Sequence, residues 1–510
     1  MTILGNSDDD KKEDTMMDLQ TRLVTDDALA NAAYVQHDEE AQQSNVLVIQ
    51  VMDEVAQKGE KQPNQFRDAP FGFLFILHLL LVSFFACAWG LPALFAATSS
   101  SENDNTPSTS FSGVLGLCLL SSLACVFIIA GTLSFLIHHA DIVIQFSLVL
   151  STVMTFLMAL VFAVKLFIWF AIFYFVLGAL GAWYACSVWS RIPFAKANLK
   201  VATTSIRSNL GVVGVGFGLV AVFVVWVCLW MLSFAGIYMH TRKCDSTTGE
   251  CDDGAMGQIT GIVYLLSFYW TVQVIKNILV VTVAGTVGTW WFAPDEANAF
   301  CSVAITDSLS RASTYSFGSI CLGSLLMAII QVLNHMIHNA RRNQRDSMLL
   351  AVLECLANLL ERIAEYFNKY ACIYVGLYGY DYVTAGKRVL ELFRERGWDT
   401  IINDQLVYRV LTLMSFVVGG LTGIAGMIIA SMAPSWMEAF GDDRYSAAFL
   451  LPFLIGTGVA HVVLGIIASA TDTVLVCFAE SPNEFQSNYP QLSQEMLTAW
   501  RQIYPEEFGL

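Results

Sequence analysis

The sequence predicts an all-α, polytopic integral membrane protein with about ten transmembrane helices and a disordered, acidic N-terminal tail. Long apolar stretches, most of them uncharged, recur between Phe71 and Cys477, and roughly 20 helical residues cross a hydrocarbon core of about 30 Å. Hydrophobic residues make up 55% of the chain and charged residues 14%, and the mean hydropathy is +0.57. The lipid bilayer is therefore the first expected partner.

The N-terminal segment differs from the rest in charge. Residues 1–70 hold 15 acidic and 6 basic side chains, within a total net charge of −16. We predict that residues 1–66 form an acidic, mostly disordered cytoplasmic tail. A solvated acidic tail repels phosphate backbones, so no nucleic-acid partner is expected. The segment has neither a basic n-region nor a short apolar h-region, so no cleavable signal peptide is predicted.

Charges flanking the first apolar stretch predict its orientation. Lys58, Lys61 and Arg67 precede it, whereas Glu102 and Asp104 follow it. The positive-inside rule then places the N-terminus in the cytoplasm. The predicted spans are 71–97, 113–137, 142–163, 166–188, 210–239, 260–291, 316–338, 348–375, 407–433 and 446–476.

The eighth stretch, 348–375, leaves two alternatives open. Its apolar residues form a helical stripe beside several charged residues. It is either a span that faces the protein interior or a helix that lies in the membrane interface. If it spans, both termini are cytoplasmic; if it does not, the C-terminus lies outside. We favour ten spans, with residues 67–480 as the transmembrane domain and 481–510 as a cytoplasmic C-terminal tail.

Most of the twelve cysteines lie in apolar runs, where a free thiol behaves as a small hydrophobic group. Cys244 and Cys251 are the exception, because six residues separate them within a short polar loop. On the outside of the membrane, a disulfide between them is favoured. A metal site is the weaker alternative, since His240 is the only nearby histidine, and no metal is predicted.

Signatures of enzymes embedded in membranes are missing from the sequence. The glycine-rich run 211–218 does not resemble a nucleotide-binding loop, because no strand precedes it and no Lys-Ser/Thr pair ends it. Its Gly214-x-x-x-Gly218 pattern, like Gly419-x-x-x-Gly423, indicates close helix packing. We therefore expect neither enzymatic activity nor a cofactor, and no ATP hydrolysis.

Polar side chains within the spans are the first candidates for a substrate path. The sixth span contains Gln273, Lys276 and Asn277. If Trp290 and its neighbour mark the inner interface, Lys276 lies 14 residues, about 21 Å, away in the outer half. Snorkelling of Lys276 to the outer surface is the alternative interpretation.

Two polar residues in other spans also qualify. Asn334 belongs to a polar cluster that ends the seventh span, and Asp472 lies in the last turns of the tenth. Either position is also typical of a helix end that approaches the interface.

Aromatic residues offer a second kind of contact. Trp226 and Trp230 lie on one face of the fifth span, one turn apart, and Trp270 lies in the sixth. A quaternary ammonium is recognised by ring faces, worth about 0.5–2 kcal/mol each, although aromatic residues also anchor spans at lipid interfaces. The complete set of candidate path residues is Trp226, Trp230, Trp270, Gln273, Asn277, Asn334 and Asp472.

Three ordered motifs, 315–324, 367–379 and 472–480, resemble the choline transporter-like family, nearest to its fungal "pH nine sensitive" plasma-membrane branch. With Asp68-Ala-Pro-Phe71 and Trp290-Trp-Phe292, the resemblance extends over about 68–480. It implies ten spans, cytoplasmic termini and transport of choline or related cations without an ATP-binding module. The loop 98–112 departs from animal members, because it is short and the chain has no Asn-x-Ser/Thr acceptor.

The sequence therefore predicts a multi-pass plasma-membrane transporter, a secondary carrier or facilitator of a small organic solute such as choline or a related cation. The alternative is a membrane scaffold that binds partners through its acidic N-terminal tail.

Overall fold

The computed structural model describes residues 62, 64–92, 111–164, 168–241, 243–244, 251–252, 254–343, 348–396, 406–433, 436 and 444–503. Most of the predicted tail 1–66 lies outside these residues. Disorder of this tail and the scaffold alternative that depends on it therefore stay predictions.

The described residues are almost entirely helical. The long helices are α1 (Ala69–Phe85, continued by a π-helical turn Ala86–Gly90), α2 (Phe111–His138), α3 (Ala140–Val164), α4 (Ile168–Val188), α6 (Gly211–Thr241), α7 (Gly254–Phe292), α9 (Phe317–Asn343), α10 (Met348–Tyr378), α12 (Leu406–Met432) and α13 (Arg444–Glu480). The shorter helices are α5 (Ile192–Ser208), α8 (Val303–Ser313), α11 (Tyr382–Glu395), α14 (Pro482–Asn488) and α15 (Pro490–Ile503). The all-α prediction is confirmed.

Within the described ranges, nine helical segments are long and apolar enough to cross a membrane. They contain every long helix except α10, which carries more charge. Each overlaps one of the predicted spans, although the fourth segment, Ile168–Ser208, continues beyond the predicted end at 188. The bounds of the membrane crossings themselves stay predictions.

Helix α10 runs antiparallel to α9 along its length. At one end His338 contacts Glu354, with 2.9 Å between Nδ1 and Oε1. At the other, a Cβ added to Gly323 would lie 2.8 Å from Oδ1 of Asn368. Because α9 is a membrane span, a helix paired with it over this length covers the same depth. The pairing therefore supports the alternative in which α10 crosses the membrane, rather than the one in which it lies in the interface.

The amphipathic pattern of α10 follows from its position at the edge of the bundle. Leu349, Leu356 and Ile363 in its apolar stripe are exposed, as expected for side chains that face lipid. The side chain of Glu354 is 14% exposed and faces α9. Glu354 therefore faces the protein, whereas Arg362 and Glu365 on the same helix are exposed.

Two helices occupy the middle of the bundle. Helix α7 packs against α6, α8, α9, α10 and α13, and α13 packs against α2, α5, α6, α7 and α12. Helix α4 packs mainly on α3, and its Trp169 and Trp183 are strongly exposed. The polar side chains of the interior therefore come from the helices around α7 and α13.

Close packing of α12 on α13 depends on glycine. A Cβ at Gly419 would lie 1.9 Å from Oγ1 of Thr457, and one at Gly423 would lie 2.6 Å from the ring of Phe449. The packing predicted for this pair is confirmed. The close packing predicted at Gly214 and Gly218 is wrong, because a Cβ at either position would meet no described atom within 4 Å.

The shorter helices α5, α8, α11, α14 and α15 gather where α7 ends, and we call this assembly the cap. Trp290 and Trp291 are fully buried there, stacked on Tyr489 and Phe485 at centroid distances of 4.3 Å and 4.2 Å. They do not face lipid, because α14 and the residue that follows it cover them, and the prediction that they mark the inner interface stays a prediction. Helix α7 extends into the cap, so the depth of Lys276 cannot be measured from Trp290.

A short segment that precedes α1, residues 64–68, binds the cap end of the bundle, and we call it the lead-in. Oδ2 of Asp68 accepts hydrogen bonds from Oγ of Ser319 at 2.6 Å and from the backbone N–H of Tyr382 at 3.1 Å. The backbone N–H of Arg67 donates to the carbonyl of Tyr315 at 3.0 Å. The lead-in thus ties α1 to α9 and α11.

Two short strands lie between α6 and α7, at the end of the bundle opposite the cap. Strands β1 (Lys243–Cys244) and β2 (Cys251–Asp252) pair antiparallel, and their register sets Cys244 opposite Cys251. Directly opposed residues in an antiparallel pair have Cα atoms about 4.5–5.5 Å apart, within the range that a disulfide spans. The disulfide stays a prediction, now supported by the backbone register.

Mass spectrometry of the non-reduced, alkylated protein tests that prediction. We expect the peptides that contain Cys244 and Cys251 to stay linked and to take up alkylating reagent only after reduction. Full alkylation of both thiols before reduction would contradict the bridge.

Candidate functional site

Aromatic rings from three central helices meet inside the bundle, and we call Phe75, His78, Trp226 and Trp270 the aromatic cluster. The His78 ring of α1 stacks on Trp270 of α7 at 5.2 Å and meets Trp226 of α6 edge-on at 5.7 Å. Phe75 meets Trp270 edge-on at 5.1 Å. Trp226 and Trp270 are 6% and 5% exposed, so the cluster is closed to both lipid and water in this structure.

Polar atoms of the cluster are only partly satisfied. Nε1 of Trp270 donates to the carbonyl of Cys321 at 3.1 Å, and Nε2 of His78 lies 2.7 Å from Oγ of Ser267. Nε1 of Trp226 and Nδ1 of His78 are buried and have no hydrogen-bond partner among the described residues. A buried polar group without a partner costs about 1–3 kcal/mol, so these two atoms call for an explanation.

Trp230 extends the aromatic surface by one turn along α6, away from the cap. It stacks on Phe234 at 5.5 Å, and its Nε1 donates to the carbonyl of Tyr264 at 3.3 Å. Trp230 therefore packs on α7, whereas the ring contact of Trp226 is with His78 on α1. Of the two, Trp230 is the one whose indole N–H is occupied.

A buried polar network joins α7, α9, α10 and α11, and we call it the asparagine network: Asn277, Ser324, Asn368 and Tyr382. Nδ2 of Asn277 donates to Oγ of Ser324 at 2.9 Å, and Nδ2 of Asn368 donates to Oδ1 of Asn277 at 3.3 Å. The hydroxyl of Tyr382 donates to Oδ1 of Asn368 at 3.2 Å. Asn277 thus holds helices together here, and Gln273 lies buried one turn before it.

A groove lies on the other side of α7, between α10 and α13. Lys276 of α7 and His461 of α13 are both exposed at membrane depth, although they lie in central helices. The ammonium of Lys276 interacts electrostatically with Cys372 of α10 and with His461 of α13, so it lies between these two helices. We call this space the groove.

Towards the cap, two polar contacts join the walls of the groove. Nζ of Lys369 on α10 lies 2.9 Å from Oδ1 of Asp472 on α13. Two turns further along α13, the hydroxyl of Tyr374 donates to Oε2 of Glu480. The groove is therefore bridged at its cap end.

Asn334 lies in a different place from the other candidates. Its Nδ2 donates to Oδ1 of Asn358 at 2.9 Å and to the carboxylate of Glu361, both on α10. These contacts hold α9 and α10 together on the side of the asparagine network that faces away from the cap. Asn334 is thus part of a helix contact in this structure.

The structure brings Trp226 and Trp270 together but distributes Asn277, Asp472 and Asn334 over three separate contacts. Sequence reasoning missed the residues that complete these contacts: His78, Asn368 and Lys369. The one feature of the sequence that could have identified His78 is that it is the only histidine within the first apolar span, 71–97. Within the described ranges, no group of three or more His, Cys, Asp or Glu side chains is placed to hold a metal ion.

Comparisons with known proteins relate this chain to one family of membrane proteins. The family model for "Plasma-membrane choline transporter" matches residues 172–483, more than half of the chain. Protein PNS1 of Gibberella zeae is 32% identical over 62% of this chain and 59% of its own length. Protein PNS1 of Eremothecium gossypii is 27% identical over 86% of this chain and 82% of its own. A CTL-like protein of Dictyostelium discoideum is 28% identical over 85% and 75%, respectively.

The chain matches about 59% of the length of the Gibberella zeae and Yarrowia lipolytica proteins. The family match nevertheless covers the central and C-terminal helices, including α7, α10 and α13, which surround the groove. This chain belongs to the plasma-membrane choline transporter family.

Proposed function

We propose that the chain is a secondary carrier or facilitator of the plasma membrane that moves a small organic cation, of which choline is the model. Family membership and a bundle of membrane-spanning helices support transport as the activity. The observation that carries the substrate class is the aromatic cluster with its two unpartnered polar atoms.

Choline combines two chemical groups that the cluster fits. Its quaternary ammonium forms no ordinary hydrogen bonds and is stabilised by ring faces, which α1, α6 and α7 supply. Its hydroxyl both donates and accepts a hydrogen bond. Nε1 of Trp226 donates, and Nδ1 of His78 accepts or donates according to its tautomer. A bound hydroxyl would therefore supply the missing partner.

Binding requires the cluster to open, since the His78 ring now covers one face of Trp270. Helices α1 and α6 approach closely at Gly90, where an added Cβ would lie 2.4 Å from the carbonyl of Leu232. Such a close contact allows two helices to rock against each other about a fixed point. Alternating access of the cluster would follow from this motion.

The same proposal places the cap and both termini in the cytoplasm. Lys196, Lys200 and Arg207 on α5, with Lys387 and Arg388 on α11, give the cap a concentration of basic residues. Basic residues favour the cytoplasmic side of a membrane.

Uptake of radiolabelled choline into proteoliposomes, against empty vesicles, tests the function. Trp226→Phe keeps an aromatic ring but removes the N–H, so we expect choline uptake at low concentration to fall about two- to tenfold, as for one lost hydrogen bond. Uptake of ethyltrimethylammonium, which lacks the hydroxyl, should change little. Trp169→Phe is the matched control, because Trp169 is 85% exposed on α4.

Three outcomes of this experiment would contradict different parts of the proposal. Wild-type vesicles that accumulate neither choline nor another small organic cation would rule out the substrate class. An equal fall for both solutes in Trp226→Phe would remove the role of the indole N–H. A similar fall in Trp169→Phe would assign the effect to membrane insertion.

A further inference from the structure

We propose that Asp472 is a cation-binding site whose present occupant is the ammonium of Lys369, and that a cationic substrate opens the groove at the cap by replacing this ammonium. The inference rests on the proposed function and names the step at which the substrate acts on the protein. Its starting point is the 2.9 Å ion pair between Lys369 and Asp472.

The ion pair is accessible, unlike the asparagine network beside it. The side chains of Lys369 and Asp472 are 38% and 26% exposed, whereas Asn277 and Asn368 are 2% and 7% exposed. Exposure of a carboxylate at the end of a membrane groove leaves it within reach of a solute in that groove. A buried structural ion pair would offer no such access.

The ion pair lies where it can hold the two walls of the groove together. It joins α10 to α13, and the hydrogen bond from Tyr374 to Glu480 joins the same helices closer to the cap. On the other side of the pair, Lys276 and His461 are exposed. The groove is thus open beside these two residues and bridged where Lys369 meets Asp472.

The charges at the ion pair explain why a cation, rather than a neutral solute, would separate Lys369 from Asp472. Lys369 already neutralises the carboxylate of Asp472, so a second cation gains little attraction there unless the Lys369 ammonium leaves. If the substrate takes the place of Lys369, Asp472 keeps one positive partner throughout.

Lys369 has a second carboxylate within reach of its own helix. Glu365 lies one turn earlier on α10 and is exposed. A Glu–Lys pair at i,i+4 in this order is favourable on a helix surface. Lys369 can therefore turn from α13 to Glu365, and the ionic bridge between α10 and α13 is then lost.

Opposite effects of two substitutions distinguish this mechanism from a static ion pair. Lys369→Met removes the competing ammonium, so choline should bind about three- to tenfold more tightly to the detergent-purified full chain. Asp472→Asn removes the carboxylate, so binding should weaken by a similar factor. An ion pair that only stabilises the fold predicts weaker binding for both variants.

Radiolabelled choline binding by scintillation proximity, at low and constant ionic strength, is the measurement. Lys369→Arg keeps the charge and should bind like the wild type. Lys200→Met is a matched control, because it breaks an exposed ion pair with Glu495 in the cap. Lys369→Gln replaces Lys369→Met if the latter is not monodisperse on size exclusion.

Tighter binding by the neutral variant at 369, together with weaker binding by Asp472→Asn, supports the inference. Equal or weaker binding by the neutral variant overturns it, while the proposed function stands as long as the wild type binds choline. Absence of binding by the wild type itself counts against both.

Discussion

Replacing Asn368 on α10 with leucine is expected to destabilise the purified protein strongly. Asn368 accepts from the Tyr382 hydroxyl and donates to Asn277, so leucine leaves both partners unsatisfied. Hydrogen bonds between membrane helices are worth about 0.6 kcal/mol on average and up to about 1.7. Two lost bonds and two orphaned polar groups therefore predict a loss of about 2 kcal/mol or more.

Thermal unfolding in detergent, followed by tryptophan fluorescence, measures this loss as a fall in melting temperature. Asn358→Leu provides the control, because Asn358 is an exposed asparagine on the same helix that makes one hydrogen bond, to Asn334. We expect its effect to stay within about 0.5 kcal/mol. Equal falls for the two variants would show that the asparagine network does not stabilise the bundle.

The second large effect is expected at Gly419. Any side chain there meets Oγ1 of Thr457 and the backbone carbonyl of Phe453, which lie 1.9 Å and 3.0 Å from an added Cβ. Gly419→Leu should therefore force α12 away from α13, at a cost of about 1–3 kcal/mol or more for overpacking.

The neighbouring residue supplies the control for this experiment. A Cβ at Gly420 would meet nothing within 4 Å among the described residues. Leucine is the better helix former by about 0.8 kcal/mol, so Gly420→Leu should be tolerated or mildly stabilising. The yield of monodisperse protein and its melting temperature are the measurements, and equal yields for both variants would contradict the packing argument.

Hydropathy predicted the positions of the long apolar helices well, because it depends only on the residues within each segment. Helix α10 was ambiguous for the same reason: its charges are explained by α9, which no window over 348–375 contains. Trp290 and Trp291 were interpreted as lipid-facing markers of an interface, but tryptophan also favours buried positions, and here Tyr489 and Phe485 bury these two indoles. A local pattern does not distinguish these two environments.

Only some of the contacts around the candidate path residues could be predicted from the sequence. Periodicity set Trp226 on a helix face, and the structure adds His78 and Trp270 from other helices to complete the cluster. Asp472 was selected as a polar group at depth, but its partner Lys369 lies 103 positions away. Sequence proximity carries no information about contacts of this kind. They became visible only when α10 and α13 were placed side by side.

Burial of Trp290 and Trp291 has a consequence for biosynthesis. Trp291 donates to the carbonyl of Ser481 and accepts from Asn488, which follow it by 190 and 197 positions. At about 5–20 residues per second, a ribosome takes roughly 10–40 s to make that stretch. During this interval the two indoles of the nascent chain lack their covering residues, so this part of the cap is completed only after residues 481–489 have been made.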